Sequence, residues 1–365
     1  MNIDFRFAIL SDPHIALPET IWNHPSRFHL VEFSIPALET VLTHLKQLAL
    51  DFLLIPGDLT QHGEPENHRW LQHRLEALPF PVYVIPGNHD VPCLWADDHS
   101  IGLQDFPHFY RQFGYTNPHK LYYTCELLPG VQLIALNSNQ FDANGKQLGC
   151  LDEEQLLWLE QVLEKVQHQF ILVMVHHNVL EHLPGQSHHQ LGQRYMLDNA
   201  LLLRQMLEKY GVKLVLTGHL HVQDIARSGD LYEITTGSLV SYPHPYRILH
   251  WQSYEGKTQL NVKSYWVRAV PEAADLQRSS REWMGDRSLP FMTRLLTDSP
   301  LKLSLAEAHS LAPRLRYFWA DIAAGDTVFN FSTFPESVRH YLEQFGAIDD
   351  DCHPAQIDNH TTIEL

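Results

Sequence analysis

Five short hydrophobic runs in this chain each end in residues whose side chains can hold a metal ion. Phe7-Ala8-Ile9-Leu10 leads to Asp12 and His14, Phe52-Leu53-Leu54-Ile55 to Asp58, and Val82-Tyr83-Val84-Ile85 to Asn88. The run Ile171 to Val175 leads to His176, and Leu214-Val215-Leu216 to His219 and His221. An apolar run of this length, closed by Gly, Pro, Asp or Asn, reads as a buried strand. Open α/β sheets bind ligands beyond the carboxyl ends of their strands, so the pattern predicts that all five clusters meet on one edge of a sheet.

Helical periodicity fills the gaps between these runs. Stripes of apolar residues over Ile35 to Leu50, Glu66 to Leu78 and Leu151 to Val166 predict helices, the last with Asp152 as N-cap. Strand then helix, repeated, predicts α/β layers. After His221 the period changes to two, over Val222 to Arg227, Leu231 to Thr236, Tyr246 to Trp251 and Gln259 to Val267. These predict antiparallel strands added to a second sheet. A boundary falls near Val270-Pro271, dividing a domain of residues 1–270 from an extension of residues 271–365. The extension reads as helical and polar, over Glu272 to Met284, Leu301 to Trp319 and Pro335 to Phe345, before the acidic tail Asp349-Asp350-Asp351. It holds no chemical constellation, which predicts a packing or oligomerisation role, with a homo-oligomer formed through it.

With 365 residues, 44% of them hydrophobic, the chain can bury a large core. Its formal charge of -17 and lack of Lys/Arg clusters argue against a protein that grips a nucleic-acid backbone. The four cysteines, Cys93, Cys125, Cys150 and Cys352, show no C-x-x-C spacing, which predicts a reducing cytoplasm. The run Phe7 to Leu10 is too short for a signal-peptide core, and no stretch is long enough for a membrane span. Most of the 25 histidines, His68, His73, His99, His108 and His119 among them, sit in polar segments and read as solvent-exposed.

The motifs at the strand ends carry the chemistry. Asp12-x-His14 places a carboxylate and an imidazole on one side where the chain leaves a strand. In Gly57-Asp58, the glycine permits a positive φ, and Asp58 is the candidate to bridge two cations. In Gly87-Asn88-His89-Asp90, Asn88 offers a neutral oxygen, while His89 can stay off the metal and touch the substrate. Asp90 is expected to orient the His89 ring and raise its basicity. His176-His177 closes the most hydrophobic run, and one of the pair should be a ligand because a buried ring needs partners. Gly218-His219-Leu220-His221 reads as an extended segment with both histidines on one side.

In this order, these elements resemble the calcineurin-like metallophosphoesterase superfamily over about residues 5 to 265. Softer features resemble its class III cyclic-nucleotide phosphodiesterase branch, which also contains glycerophosphodiesterases: Gly57-Asp58-Leu59-Thr60, Gln155-Leu156-x-Trp158-Leu159 and Thr236-Gly237-Ser238. The resemblance implies a four-layer αββα sandwich of two mixed β-sheets flanked by helices, followed by the mainly helical extension. It implies one metal on Asp12, His14, Asp58 and His221, a second on Asp58, Asn88, His176 and His219, and His89 beside the scissile phosphate, backed by Asp90. The family has Pro two residues after the His176 position, where this chain has Asn178. The implied reaction is in-line displacement by a hydroxide shared between two divalent or trivalent cations, and a ligand set without thiolate suits Mn, Fe, Zn or Co.

The expected substrate is a small phosphodiester such as a 3',5'-cyclic nucleotide, with no nucleic-acid polymer and no membrane as partner. The alternatives are a glycerophosphodiesterase, a broad-specificity phosphomonoesterase, or a non-catalytic protein-binding module on the same fold. Substrate contacts are expected from the loop Ile15 to His29 and from Tyr242-Pro243-His244-Pro245-Tyr246.

Overall fold

The computed structural model describes residues 3–22, 27–254, 257–347 and 358–365; the acidic tail and Cys352 lie outside them. The first third of the chain holds β1 (Ile3–Ile9), α1 (Ser34–Leu45), β2 (Phe52–Ile55), α2 (Pro65–Glu76), β3 (Val82–Val84) and the short α3 (Phe106–Phe109). There follow β4 (Tyr123–Leu128), β5 (Val131–Ala135), β6 (Asn139–Phe141), β7 (Gln147–Gly149), α4 (Glu153–Val166), β8 (Phe170–Met174) and α5 (Gln190–Gln193). The remainder is α6 (Ala200–Lys209), β9 (Leu214–Thr217), β10 (Asp224–Ser228), β11 (Leu231–Thr235), β12 (Pro245–Tyr254), β13 (Lys257–Trp266), α7 (Leu276–Thr297), α8 (Leu305–Leu311), α9 (Phe318–Ala324), α10 (Glu336–Glu343) and β14 (His360–Glu364).

Two six-stranded mixed sheets form the centre, in the orders β14-β13-β12-β1-β2-β3 and β10-β11-β9-β8-β5-β4. Two expectations are corrected by this. The five ligand-bearing runs do not share one sheet: β1, β2 and β3 belong to the first, β8 and β9 to the second. Nor do the four period-two strands join one sheet, since β10 and β11 edge the second while β12 and β13 extend the first. The reason lies in burial on both faces. In β8, Leu172 and Met174 enter the core between the sheets, whereas Ile171 and Val173 pack outward against α4 and α6. A run apolar on both faces reports that it is buried, not which sheet receives it.

Local chemistry explains the helices. The Asp152 side chain accepts from the Gln155 backbone N–H, capping α4, and Glu153 and Glu154 favour the positive end of its dipole. In the extension, α7 does not stop at Met284, as the sequence suggested, but continues through an internal Pro290 to Thr297. The single helix expected over Leu301 to Trp319 is broken into α8, a 3-10 turn containing Pro313, and α9. The last strand is a further difference from the helical reading: β14 pairs antiparallel with β13, from Gln259↔Glu364 to Lys263↔His360.

The helices of the extension bury their own core of Met292, Leu296, Leu315, Phe318 and Leu342, and this core includes Leu220 and Val222 from the loop after β9. His68 corrects another expectation: it is fully buried, with Nδ1 2.8 Å from the Tyr110 hydroxyl.

Candidate metal centre

The ligand-bearing loops are zipped together beyond the strand ends. β1 and β2 run parallel with Ile9 opposite Leu54, and the pairing continues through Asp12 N–H to Gly57 O (3.2 Å) and His14 N–H to Asp58 O (2.9 Å). In the other sheet, Gly218 N–H donates to His176 O (3.2 Å). The sheets are then joined at the site itself: His219 N–H donates to Asp12 Oδ1 (3.1 Å), Ser238 Oγ–H to Asp12 O (2.8 Å), and Leu239 N–H to Ser11 O (3.1 Å). The Thr236-Gly237-Ser238 turn therefore clasps the backbone under Asp12.

Sharp turns aim these side chains. Asp12, His14, Asp58, His219 and His221 all have φ between 39 and 66°. The segment Gly218 to His221 is thus not extended, as its alternation suggested; two left-handed residues turn both histidines inward while Leu220 enters the helical core. Left-handed backbone is uncommon outside glycine and concentrates at functional sites. Gly57, at φ 103°, has no room for a side chain: a Cβ would stand 2.5 Å from His176 Nδ1.

Three groups of ligand atoms result, each with its atoms within 4.8 Å of one another: the first of Asp12, His14, Asp58 and His221, the second of Asp58, His176 and His219, and a third, of His14, His29 and His221, that overlaps the first and brings in His29, which no motif singled out. In the first, His221 Nε2 lies 3.1 Å from Asp12 Oδ1 and 3.4 Å from His14 Nε2. In the second, His176 Nε2 lies 3.4 Å from Asp58 Oδ2 and 3.1 Å from Asn88 Oδ1. Bonds of about 2.1 Å to one cation put neighbouring ligands roughly 3 to 3.5 Å apart, so these spacings fit. His176 adds a chemical reason. Its Nδ1 lies 2.8 Å from the Pro56 carbonyl, which fixes the N–H there and turns Nε2 toward the carboxylate and amide oxygens. Burial works against a charge on this ring, yet Asp58 and Asp12 raise it to about 9. His177 is occupied elsewhere, with Nδ1 2.7 Å from Ser138 Oγ.

His89 stands beside the two groups that share Asp58. Its backbone N–H donates to Asp58 Oδ1 (2.8 Å) and its Nδ1 lies 2.8 Å from the Gln61 carbonyl, so Nε2 is the atom left for the cavity. Asp90 does not orient this ring, contrary to the sequence reading. Its carboxylate accepts from the backbone N–H groups of Leu59 (3.0 Å), Thr60 (2.8 Å) and Gly87 (2.8 Å), fixing the turn that carries Asp58. Burial and nearby Asp58 push Asp90 up to about 7. The orienting partner of His89 is a carbonyl, which no sequence motif advertises.

A cavity of about 600 Å³ opens over these residues. The Ile15 to His29 loop lines it with Trp22, Arg27, Phe28 and His29; the Tyr242 to Tyr246 segment supplies none of the lining among the described residues. His244 instead turns inward, its Nδ1 2.7 Å from Leu239 O. His29 stacks on His14 with centroids 4.2 Å apart, and burial with neighbouring His221 holds its pKa well below the usual histidine value. Gln147, not singled out by any motif, donates from Nε2 to the carbonyls of Asn88 (2.9 Å) and Val91 (3.1 Å), bracing the Asn88 loop from the β6-β7 hairpin.

Asn178 accounts for the departure after His176. Its Nδ2 donates to Thr217 Oγ1 (3.1 Å) and Glu233 Oε1 (3.2 Å), while Glu233 Oε2 accepts from Val179 N–H (2.9 Å) and Leu180 N–H (2.6 Å). A buried carboxylate on β11 thereby holds this loop. His182 completes the clasp, 2.6 Å from Asp224 Oδ2 and 3.0 Å from Glu233 Oε1.

The ligand groups that share Asp58 at the ends of these strands could hold two cations. Residues 5–223 match the calcineurin-like phosphoesterase model, and the chain belongs to that family. It is 31% identical over 192 residues to a probable glycerophosphodiester phosphodiesterase of Arcobacter nitrofigilis, covering 51% of this chain and 62% of that one. It is 32% identical over 184 residues to a 3',5'-cyclic-nucleotide phosphodiesterase of Nostoc sp., covering 50% and 60%. The chain thus matches about six tenths of the length of these two relatives. A dimetal phosphatase from Danio rerio shares the fold, with TM-score 0.52 at 16% identity over 72% of this chain and 96% of that one.

Proposed function

We propose that this protein is a metal-dependent phosphodiesterase acting on small phosphodiesters, 3',5'-cyclic nucleotides foremost. The observation that carries the reading is the pair of ligand groups sharing Asp58 at the base of a cavity that His89 also lines. Asp12, His14, Asp58 and His221 would hold one cation, and Asp58, Asn88, His176 and His219 the other. Bound cations of the Mn, Fe, Zn or Co type would neutralise the phosphate and lower the pKa of water. The chain's own residues do the rest. Gln61 O keeps the Nδ1 proton of His89 in place and so aims Nε2 at the ester oxygen; a second proton carried on Nε2 would make the ring the acid. Water gives up one proton to solvent as its oxygen bonds to phosphorus; as the ester P–O bond breaks, the Nε2 proton passes to the departing oxygen, and His89 regains a proton from solvent.

A complete ligand set disfavours the non-catalytic reading. The Arcobacter relative's name keeps glycerophosphodiesters as the second substrate reading. Cys93, Cys125 and Cys150 are free thiols, and no helix among the described residues is long and apolar enough to cross a membrane. The test is to measure bound metal and assay bis- and mono-p-nitrophenyl phosphate, 3',5'-cAMP and glycerophosphoethanolamine with added Mn. Metal-dependent cleavage of diesters over monoesters is expected. No hydrolysis of any of them would end the proposal.

A further inference from the structure

The wall of the cavity facing away from the ligand-bearing strands comes from a part of the chain that the family match, ending at residue 223, does not reach. Met284, Ser288 and Phe291 from α7 and Trp319 from α9 line the same cavity as Asp58, Asn88 and His89. Phe291 and Trp319 pack with ring centroids 5.4 Å apart at 57°. The wall is anchored to the metal side at two points. Trp283 Nε1–H donates to Phe28 O (3.0 Å), next to His29, and Leu220, between His219 and His221, is buried among the helices.

The chemistry of this wall is one-sided. A thioether and two aromatic rings offer contact surface, and its hydroxyl is already committed: Ser288 Oγ lies 2.8 Å from both the Gly285 and Arg316 carbonyls. The polar lining groups that face the cavity, such as Gln61, His62, Gln147, Arg194 and Tyr195, come from segments outside these two helices. From this division we infer that α7 and α9 form a subsite for a flat, apolar substituent of the diester, a nucleobase or an aryl group. Such rings stack on aromatic side chains through their π-faces without needing hydrogen bonds. A glyceryl or ethanolamine group gains nothing there and leaves the wall wet. The inference rests on the phosphodiesterase reading for its kinetics, but the subsite itself is a binding claim.

The experiment uses the full-length, Mn-loaded protein and the variants Phe291→Ala, Trp319→Ala and Trp319→Phe, each checked for an unchanged thermal transition. For 3',5'-cAMP and bis-p-nitrophenyl phosphate, KM is expected to rise about tenfold in the alanine variants, with kcat within twofold and Trp319→Phe restoring most of the loss. KM for glycerophosphoethanolamine should stay within twofold. Equal losses on both substrate types, or no change on the ring-bearing ones, would overturn the subsite. Calorimetry with AMP and glycerol 3-phosphate separates the two levels. If wild type cleaves no diester yet prefers AMP, and Phe291→Ala removes that preference, the subsite stands and the phosphodiesterase reading falls. If wild type shows no preference for AMP, the subsite falls whatever the turnover.

Discussion

The loops of the metal site and the C-terminal helices meet across one cavity, yet they are built on opposite terms. On one side the key groups are fixed by directional bonds: Asp90 gathers three backbone N–H groups, Pro56 O fixes His176, and Gln61 O fixes His89. On the other side the elements share an apolar core around Phe318, Leu315 and Met292, with Leu220 inserted from the first side, and their ion pairs, Arg281 to Asp321 and Arg316 to Glu282 and Asp286, lie outside the cavity lining. The difference teaches that position at the metal edge is specified bond by bond, whereas the wall is specified by volume and tolerates sequence change as long as it stays filled.

Substitutions on each side should therefore fail differently. The largest effect is expected for His89→Ala, which slows kcat by about 10² to 10⁴ while bound metal, measured by elemental analysis, stays the same. A parallel loss of metal would show that His89 belongs with the ligands. Leu220→Ala removes a nearly fully buried side chain from the helical core and should cost about 2 to 5 kcal/mol in denaturant unfolding. If its stability is unchanged but its activity is lost, the two sides are less coupled than their packing indicates. Gln147→Ala frees the Asn88 loop and should weaken metal binding roughly 10- to 100-fold in a chelator competition, at one of two sites only. Equal weakening at both would mean that the hairpin supports the whole edge.

A pH-dependent test addresses the clasp below that edge. Burial works against a charge on His182, but Glu233 and Asp224 raise its pKa to about 10 from an ordinary 6.5. Because the folded value is the higher one, the stabilisation is complete below pH 6.5 and is lost as pH rises through 10. The melting temperature should decline over that window by more in wild type than in His182→Gln. Curves that stay parallel would show that the ring is not protonated in the fold.

The strand runs and their ligand residues were legible because a strand covered on both faces is apolar throughout, and because few other roles place His or Asp at its exit. Less legible was what joins these ends. Nothing in Val82 to Ile85 or Ile171 to Val175 states that they enter different sheets, since pairing partners are not encoded in a run's own pattern. The orienting bonds of His89 and His176 end on backbone carbonyls, which every residue carries. Asp90 was legible as important but not in its task, since a carboxylate next to His89 in sequence turns out to face the Asp58 turn. The wall was hidden for a further reason: α7 continues through Pro290, and Met284, Phe291 and Trp319 look like ordinary core residues until the cavity places them around it.

The left-handed backbone at Asp12, His14, Asp58, His219 and His221 bears on how such a site should be dissected. Alanine at any of these positions removes a ligand and also installs a residue that resists the turn, so its phenotype mixes two losses. Asparagine accepts that backbone far more readily. Because asparagine also brings a donor oxygen, as Asn88 does, the separating comparison is Ala with Gly at a single position: neither has a donor atom, so their difference reads the turn and the loss that remains in Gly reads the donor.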